Sequence, residues 1–114
     1  MPRIIIAVLA LAATSSVVLA QNRPTRFWNL TQYTISEFYL APAGATSFGP
    51  NQCKNDKDGT VDHDERLRIT GVEPGRYDAR VSYPNARQCI VRDIEIKADA
   101  VFSVADKDLK DCTK

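Results

Sequence analysis

The chain has 114 residues, of which 44% are hydrophobic, and its 15 basic residues are almost balanced by 14 acidic ones. This balance argues against nucleic acid as a partner, because binding to phosphates without sequence preference needs a surplus of Lys and Arg. For the same reason the composition predicts no polybasic patch for a membrane surface.

Residues 1–20 have the pattern of a secretory signal peptide. Arg3 precedes the apolar run IIAVLALAA, and the segment ends on the small residue Ala20. The apolar run is shorter than the ~20 residues that a membrane span needs, so we expect cleavage and no membrane span afterwards. The sequence therefore predicts a periplasmic or secreted protein in which residues 21–114 form a single β-domain.

The rest of the chain shows strand patterns and almost no helical periodicity. Residues 25–30 and 34–41 are rich in β-forming residues, and the short polar segment between them predicts a hairpin. Four later segments also read as strands: RLRIT (66–70), RYDARVSY (76–83), QCIVRDIEIK (88–97) and VFSVA (101–105). About six short strands with regularly spaced turn signals predict an all-β fold, a small antiparallel β-sandwich or barrel-like domain.

Alternation within these segments predicts which side chains face the core. In RLRIT, Leu67 and Ile69 lie on one face, whereas Arg66 and Arg68 lie on the other. In QCIVRDIEIK, the three isoleucines at 90, 94 and 96 are predicted to share a face.

Several short patterns occur together between residues 27 and 81. They are an apolar pair followed by Asn29-x-Thr31, a Thr-Ile strand ending in Tyr39-x-x-Pro42, the step Phe48-Gly49, and the strand Tyr77-Asp78-x-Arg80-Val81. In this combination the chain resembles a group of short exported bacterial proteins, although Phe48 stands where that group has Trp and the cysteines are placed differently. The resemblance implies a small periplasmic or secreted β-sandwich of uncharacterised function, and it supplies no catalytic residues.

Residues 54–65, KNDKDGTVDHDE, follow the spacing of an EF-hand calcium loop except at its first position. Such a loop directs oxygens from alternate positions, and from a final bidentate Glu, toward one ion around a central Gly. The alignment assigns these ligands to Asp56, Asp58, Thr60, Asp62 and Glu65. Because Lys54 replaces the first carboxylate and the flanks are not helical, the pattern predicts at most a weak calcium site. The alternatives are a solvated acidic loop, which we favour, and a surface that recognises a basic partner.

The cysteines Cys53, Cys89 and Cys112 match no metal-binding or redox spacing. In an exported protein we expect one disulfide and one free thiol. We favour a disulfide between Cys53 and Cys112, because both lie in segments without a strand pattern, whereas Cys89 lies within a strand. Pairing of Cys89 with either partner is left open.

Catalytic residues are harder to find. His63 is the only histidine, so Cys-His catalysis has a single candidate base, and no oxyanion donor can be named. Trp28, Phe38 and Tyr39 form either a ligand-binding patch or, as we favour, part of the core. Asn29 opens a glycosylation sequon but is interpreted as a turn residue.

The sequence therefore predicts a non-enzymatic domain without a cofactor. We expect a structural or interaction module of the envelope or periplasm, with an unknown protein or envelope partner. The alternative is a weak calcium-binding module that uses residues 54–65.

Overall fold

A computed structural model describes residues 24–113, so the predicted signal peptide lies outside the described residues. The six strands are β1 (Arg26–Leu30), β2 (Glu37–Pro42), β3 (Arg66–Arg68), β4 (Gly75–Ser82), β5 (Gln88–Ile96) and β6 (Val101–Ala105). Short 3-10 turns occur at Gln52–Asn55 and Asp106–Asp108. In this part of the chain no helix is long and apolar enough to cross a membrane.

The strands form two three-stranded sheets, which confirms the predicted all-β sandwich. The first sheet has the order β3-β1-β6 and the second has the order β2-β4-β5. One pairing departs from the antiparallel prediction, because β1 runs parallel to β6. The predicted hairpin of residues 25–30 and 34–41 is wrong: the segment between β1 and β2 crosses from one sheet to the other instead of reversing within one sheet.

Aromatic side chains join the two sheets at the centre of the core. Phe27 of the first sheet stacks on Phe38 of the second, with ring centroids 4.1 Å apart, and Phe102 lies 5.6 Å from Phe27. Aliphatic side chains of both sheets surround this cluster, and they include the predicted inward residues Leu67 and Ile69. Burial of these side chains provides the main driving force for folding.

A bulge in β5 changes which of its side chains face the core. Arg92 and Asp93 together lie opposite the single residue Asp78 of β4. Because one extra residue inverts the alternation of a strand, Ile90 lies outside the core before the bulge, whereas Ile96 is buried after it. The prediction that the three isoleucines share one face is therefore wrong.

The C-terminal segment extends the second sheet beside β5. The N–H of Ile90 donates to the carbonyl of Lys110 at 2.8 Å, and the N–H of Lys110 donates back at 2.7 Å. This pairing brings Cys112 next to Cys89, and the two form a disulfide. The predicted disulfide between Cys53 and Cys112 is wrong, because the C-terminal segment is not loose and Cys53 lies buried in the core as a free thiol.

Removal of this disulfide should destabilise the domain by about 3 kcal/mol, the chain-entropy value for a closed loop of this size. The two cysteines are 23 residues apart. We expect the double variant Cys89→Ser, Cys112→Ser to unfold at lower urea concentration than the wild type without reductant. Reductant should lower the wild-type midpoint to that of the variant and leave the variant unchanged. A midpoint that is the same for both proteins without reductant would contradict the prediction.

Candidate functional site

The acidic loop, residues 54–65, uses several of its oxygens as acceptors of hydrogen bonds from the protein itself. The N–H of Gly59 closes a turn on the carbonyl of Asp56 at 3.0 Å. Oδ1 of Asp62 accepts from the hydroxyl of Thr34 at 2.9 Å, and Oε1 of Glu65 accepts from the backbone N–H of Asp62 at 3.0 Å. These contacts fold the loop as two turns rather than as one coil around an ion.

The predicted calcium ligands are therefore not brought together. Asp58 lies within the first turn and is exposed. Thr60 lies in the segment that links the two turns and is half-buried. Within residues 24–113, no group of three or more His, Cys, Asp or Glu side chains is arranged to hold a metal ion. Calcium binding stays a prediction, without support from the loop geometry.

The end of the acidic loop is attached to β1. The N–H of Asp64 donates to the carbonyl of Asn29 at 2.7 Å, and the N–H of Asn29 donates to the carbonyl of Glu65 at 3.0 Å. Nδ1 of His63 lies 2.7 Å from the carbonyl oxygen of Thr31, a contact that requires a proton on Nδ1. His63 thus fastens the loop to the strand through its Nδ1–H.

Beneath this attachment lies a buried polar network centred on Asn29. Its Nδ2 donates to the carbonyls of Tyr33 and Val61, both at 3.0 Å. Its Oδ1 accepts from the N–H of Thr31 at 2.9 Å and from the Thr31 hydroxyl at 2.7 Å. The hydroxyl of Tyr83 donates to Thr31 Oγ1 at 3.1 Å, and burial raises the pKa of Tyr83. Asn29 is a fully buried strand residue, not a turn residue, and is closed to glycosylation in the folded domain.

The three aromatic residues weighed as a ligand patch lie in three different places. Phe38 belongs to the core, as expected. Trp28 lies on the outer face of the first sheet, where the guanidinium of Arg66 covers its ring at 4.2 Å. Tyr39 lies on the outer face of the second sheet. A shared patch is therefore not formed.

The outer face of the second sheet carries an arginine between two aromatic rings. Cζ of Arg80 lies 4.7 Å from the ring centroid of Tyr39 and 4.8 Å from that of Phe48. Tyr39 is the direct partner of Arg80 across β2 and β4. Phe48 comes from the loop after β2, which folds back along that strand when Gly49 donates its N–H to the carbonyl of Leu40 at 2.9 Å.

Arg80 has aromatic neighbours but no polar partner. Among residues 24–113 its side chain makes no hydrogen bond and no ion pair within 4.0 Å, and its Nε is buried without an acceptor. Burial raises the pKa of Tyr39, nearby Glu37 raises it further, and Arg80 opposes the rise. Glu37 thus influences this face, yet it does not pair with the guanidinium.

Asp78, two residues before Arg80, supports the position of the loop that carries Phe48. Its carboxylate is 3% exposed and accepts from the N–H groups of Asp93 at 2.9 Å and Gly44 at 3.0 Å, and from Arg92 at 3.3 Å. Burial alone would raise the pKa of Asp78, but these hydrogen bonds outweigh burial and lower it. Because its oxygens are already engaged, Asp78 is not the counter-ion of Arg80.

We call Tyr39, Phe48 and Arg80 the arginine stack. Its three members belong to the short sequence patterns that carry the family resemblance, and those patterns were the only signal in the sequence that could have located it. Comparison of the chain with protein-family models, with curated proteins and with solved structures found no match. The family resemblance stays a prediction.

Proposed function

We propose that this protein is an exported interaction module of the bacterial envelope that binds a carboxylate group of a partner protein through Arg80. The observation that carries the proposal is a half-buried arginine that packs against two aromatic rings and whose side chain has no acceptor among residues 24–113. A buried donor without a partner is unfavourable, and an acceptor supplied by a ligand would remove that cost.

The stack suits carboxylate recognition for geometric reasons. The ring centroids of Tyr39 and Phe48 lie 4.7 and 4.8 Å from the guanidinium carbon, so the guanidinium can pack on aromatic surface while the N–H groups at its edge serve a ligand. That edge is a planar fork of N–H donors that matches the two oxygens of a carboxylate. Because the rings hold the fork in place before binding, little side-chain entropy is lost when the ligand arrives.

The Cys53 thiol, considered as a nucleophile, favours an interaction module over an enzyme. Burial, followed by the nearby carboxylates Glu37 and Asp56, raises the pKa of the Cys53 thiol to about 12. A thiol with such a pKa is almost entirely protonated at neutral pH and is a poor nucleophile.

Binding can be tested with a pair of short, blocked peptides that differ only in a central Glu or Gln. In NMR titrations of the isotope-labelled protein, we expect the Glu peptide to shift the Arg80 Nε–H and Phe48 ring resonances more than the Gln peptide does. Arg80→Gln should weaken binding of the Glu peptide about tenfold or more, since a charge-assisted hydrogen bond contributes about 1.5–3 kcal/mol.

Arg76→Gln is the matched control. Arg76 lies on the same strand and loses the same charge, but its partner is the exposed Asp93 and it is not part of the stack. Arg80→Lys keeps the charge and should still lose most of the affinity, because an ammonium lacks the planar fork. Equal affinity of the wild type, Arg80→Gln and Arg76→Gln for the Glu peptide would refute the proposal.

A further inference from the structure

Three arginines lie together on the outer face of the first sheet. Arg26 of β1 is directly opposite Arg68 of β3, and Trp28 is directly opposite Arg66. Directly paired residues project to the same face of a sheet, and residues two apart on a strand share a face. We call this surface, formed by Arg26, Trp28, Arg66 and Arg68, the arginine face.

The positive charges of the arginine face are not neutralised within the described chain. Residues 24–113 provide no ion pair within 4.0 Å for Arg26, Arg66 or Arg68, and Nε of Arg26 is buried without an acceptor. Like charges directly opposite each other destabilise a sheet. The balanced composition predicted no polybasic patch, and that stays a prediction; net charge does not report where the three arginines lie relative to one another.

Apolar side chains adjoin the arginines. Trp28 and Leu30 are half-buried on this face, and Val101 of β6, which pairs with Arg26, is 41% exposed. The indole N–H of Trp28 donates to the exposed carboxylate of Asp64 at 2.9 Å, which fixes the ring at one end of the face. The surface therefore combines guanidinium groups with the indole ring of Trp28 and two aliphatic side chains. Burial of these apolar groups against a ligand surface would be favourable.

We infer that the arginine face binds the phosphate headgroups of an anionic lipid surface. Guanidinium forks match phosphate oxygens, and aromatic and aliphatic side chains beside basic residues are favourable at a lipid–water interface. The face lies on a sheet, and the main clefts of the domain are lined by other residues, so a small soluble phosphate would find little enclosure here. A broad anionic surface needs no cleft.

The inference is independent of the proposed carboxylate site. The arginine face belongs to the first sheet, whereas Arg80 lies on the outer face of the second sheet. Vesicle binding and peptide binding can therefore succeed or fail separately.

Trp28 provides a direct reporter, because it is the only tryptophan of the chain. The protein is purified in the form that the expressing cell produces, with or without residues 1–20. Vesicles that contain equal amounts of phosphatidylglycerol and phosphatidylethanolamine are compared with vesicles of phosphatidylcholine. We expect the anionic vesicles to shift tryptophan emission to shorter wavelength, with a response that weakens as salt is raised. Phosphatidylcholine vesicles should give little response.

Arginine substitutions test whether the face itself is responsible. Each arginine contributes about fivefold to binding at an anionic surface, so Arg26→Gln with Arg68→Gln should weaken vesicle binding about 25-fold. The control is Arg76→Gln with Arg87→Gln, which removes the same charge outside the arginine face and should bind like the wild type. Because the first pair of substitutions relieves a repulsion, circular dichroism should show that the variant is folded.

Three outcomes would overturn the inference. They are equal loss of vesicle binding in both double variants, equal response to anionic and phosphatidylcholine vesicles, and no vesicle response where inorganic phosphate or a single-stranded oligonucleotide shifts the tryptophan emission. The last outcome would assign the face to a soluble phosphate or to nucleic acid instead of a lipid surface.

Discussion

Replacement of Phe27 by alanine is expected to lower the free energy of unfolding by about 3–5 kcal/mol, the usual loss for a fully buried phenylalanine. Phe27 is completely buried and stacks on Phe38, with ring centroids 4.1 Å apart. The ring centroid of Phe102 lies 5.6 Å from that of Phe27. Its removal would leave a cavity between the two sheets. In a domain whose stability is about 5–15 kcal/mol, such a loss is a large fraction of the total.

Urea unfolding followed by far-ultraviolet circular dichroism measures this effect. Tyr33→Ala is a suitable control, because Tyr33 is 60% exposed and its removal creates no cavity. We expect the control to change stability by less than about 1 kcal/mol. A loss of similar size in both variants would show that the aromatic cluster is not the centre of the core.

Asn29→Asp should destabilise the domain by about 3–5 kcal/mol at neutral pH, because it buries an uncompensated charge. The amide nitrogen of Asn29 donates to the carbonyls of Tyr33 and Val61, and a carboxylate would place a negative oxygen against both acceptors. Asn85→Asp is the matched control. Asn85 is exposed, and its Oδ1 only accepts from the N–H of Arg87, a role that a carboxylate oxygen can fill.

The pH dependence of the Asn29→Asp variant provides a second check. The buried environment should raise the pKa of the new carboxyl in the folded protein above its unfolded value of about 3.9. A raised folded pKa means that the protonated form stabilises the fold at low pH and that this stability is lost as the pH rises through the folded value. The deficit relative to wild type should therefore be smaller at pH ~4 than at pH ~7. An equal deficit at both would indicate lost packing instead of buried charge.

The strands could be predicted from the sequence because alternation is a local property. The segments at 66–70, 76–83, 88–97 and 101–105 all contain strands in the structure. Pairing is not local, and the predicted hairpin of β1 and β2 failed for that reason. The partners of β1 are β3 and β6, which lie far along the chain. The bulge at Asp93 was missed as well, since one inserted residue leaves the apolar composition of β5 unchanged.

The candidate sites were less predictable than the fold. The acidic loop matched a calcium pattern in its residue types, but hydrogen bonds to Glu65 and Asp62 direct its oxygens elsewhere. The arginine stack and the arginine face each combine residues from separate segments, so no window of sequence contains them. The predicted disulfide pairing was wrong for a similar reason, because nothing in the sequence DLKDCTK indicates that Lys110 pairs with β5.

The two proposals place different ligands on the two outer faces of one sandwich. The first sheet would lie against an anionic lipid surface, while Arg80 of the second sheet would face away from it and hold a carboxylate of a protein partner. A small rigid domain with these two faces would act as an adaptor. Its function would be to keep that partner at a membrane surface.

The parallel pairing of β1 with β6 has a consequence for the order of folding. β1 is the middle strand of its sheet and the first strand within residues 24–113, yet one of its two neighbours is β6, the last strand within those residues. A chain that emerges N-terminus first, from a ribosome or from a translocation channel, cannot complete this sheet until residues 101–105 have appeared. Contacts between such distant residues also slow folding. The topology thus delays completion of the first sheet until residues 101–105 have emerged, which would help to keep the chain unfolded enough to pass through a channel during the export that we propose.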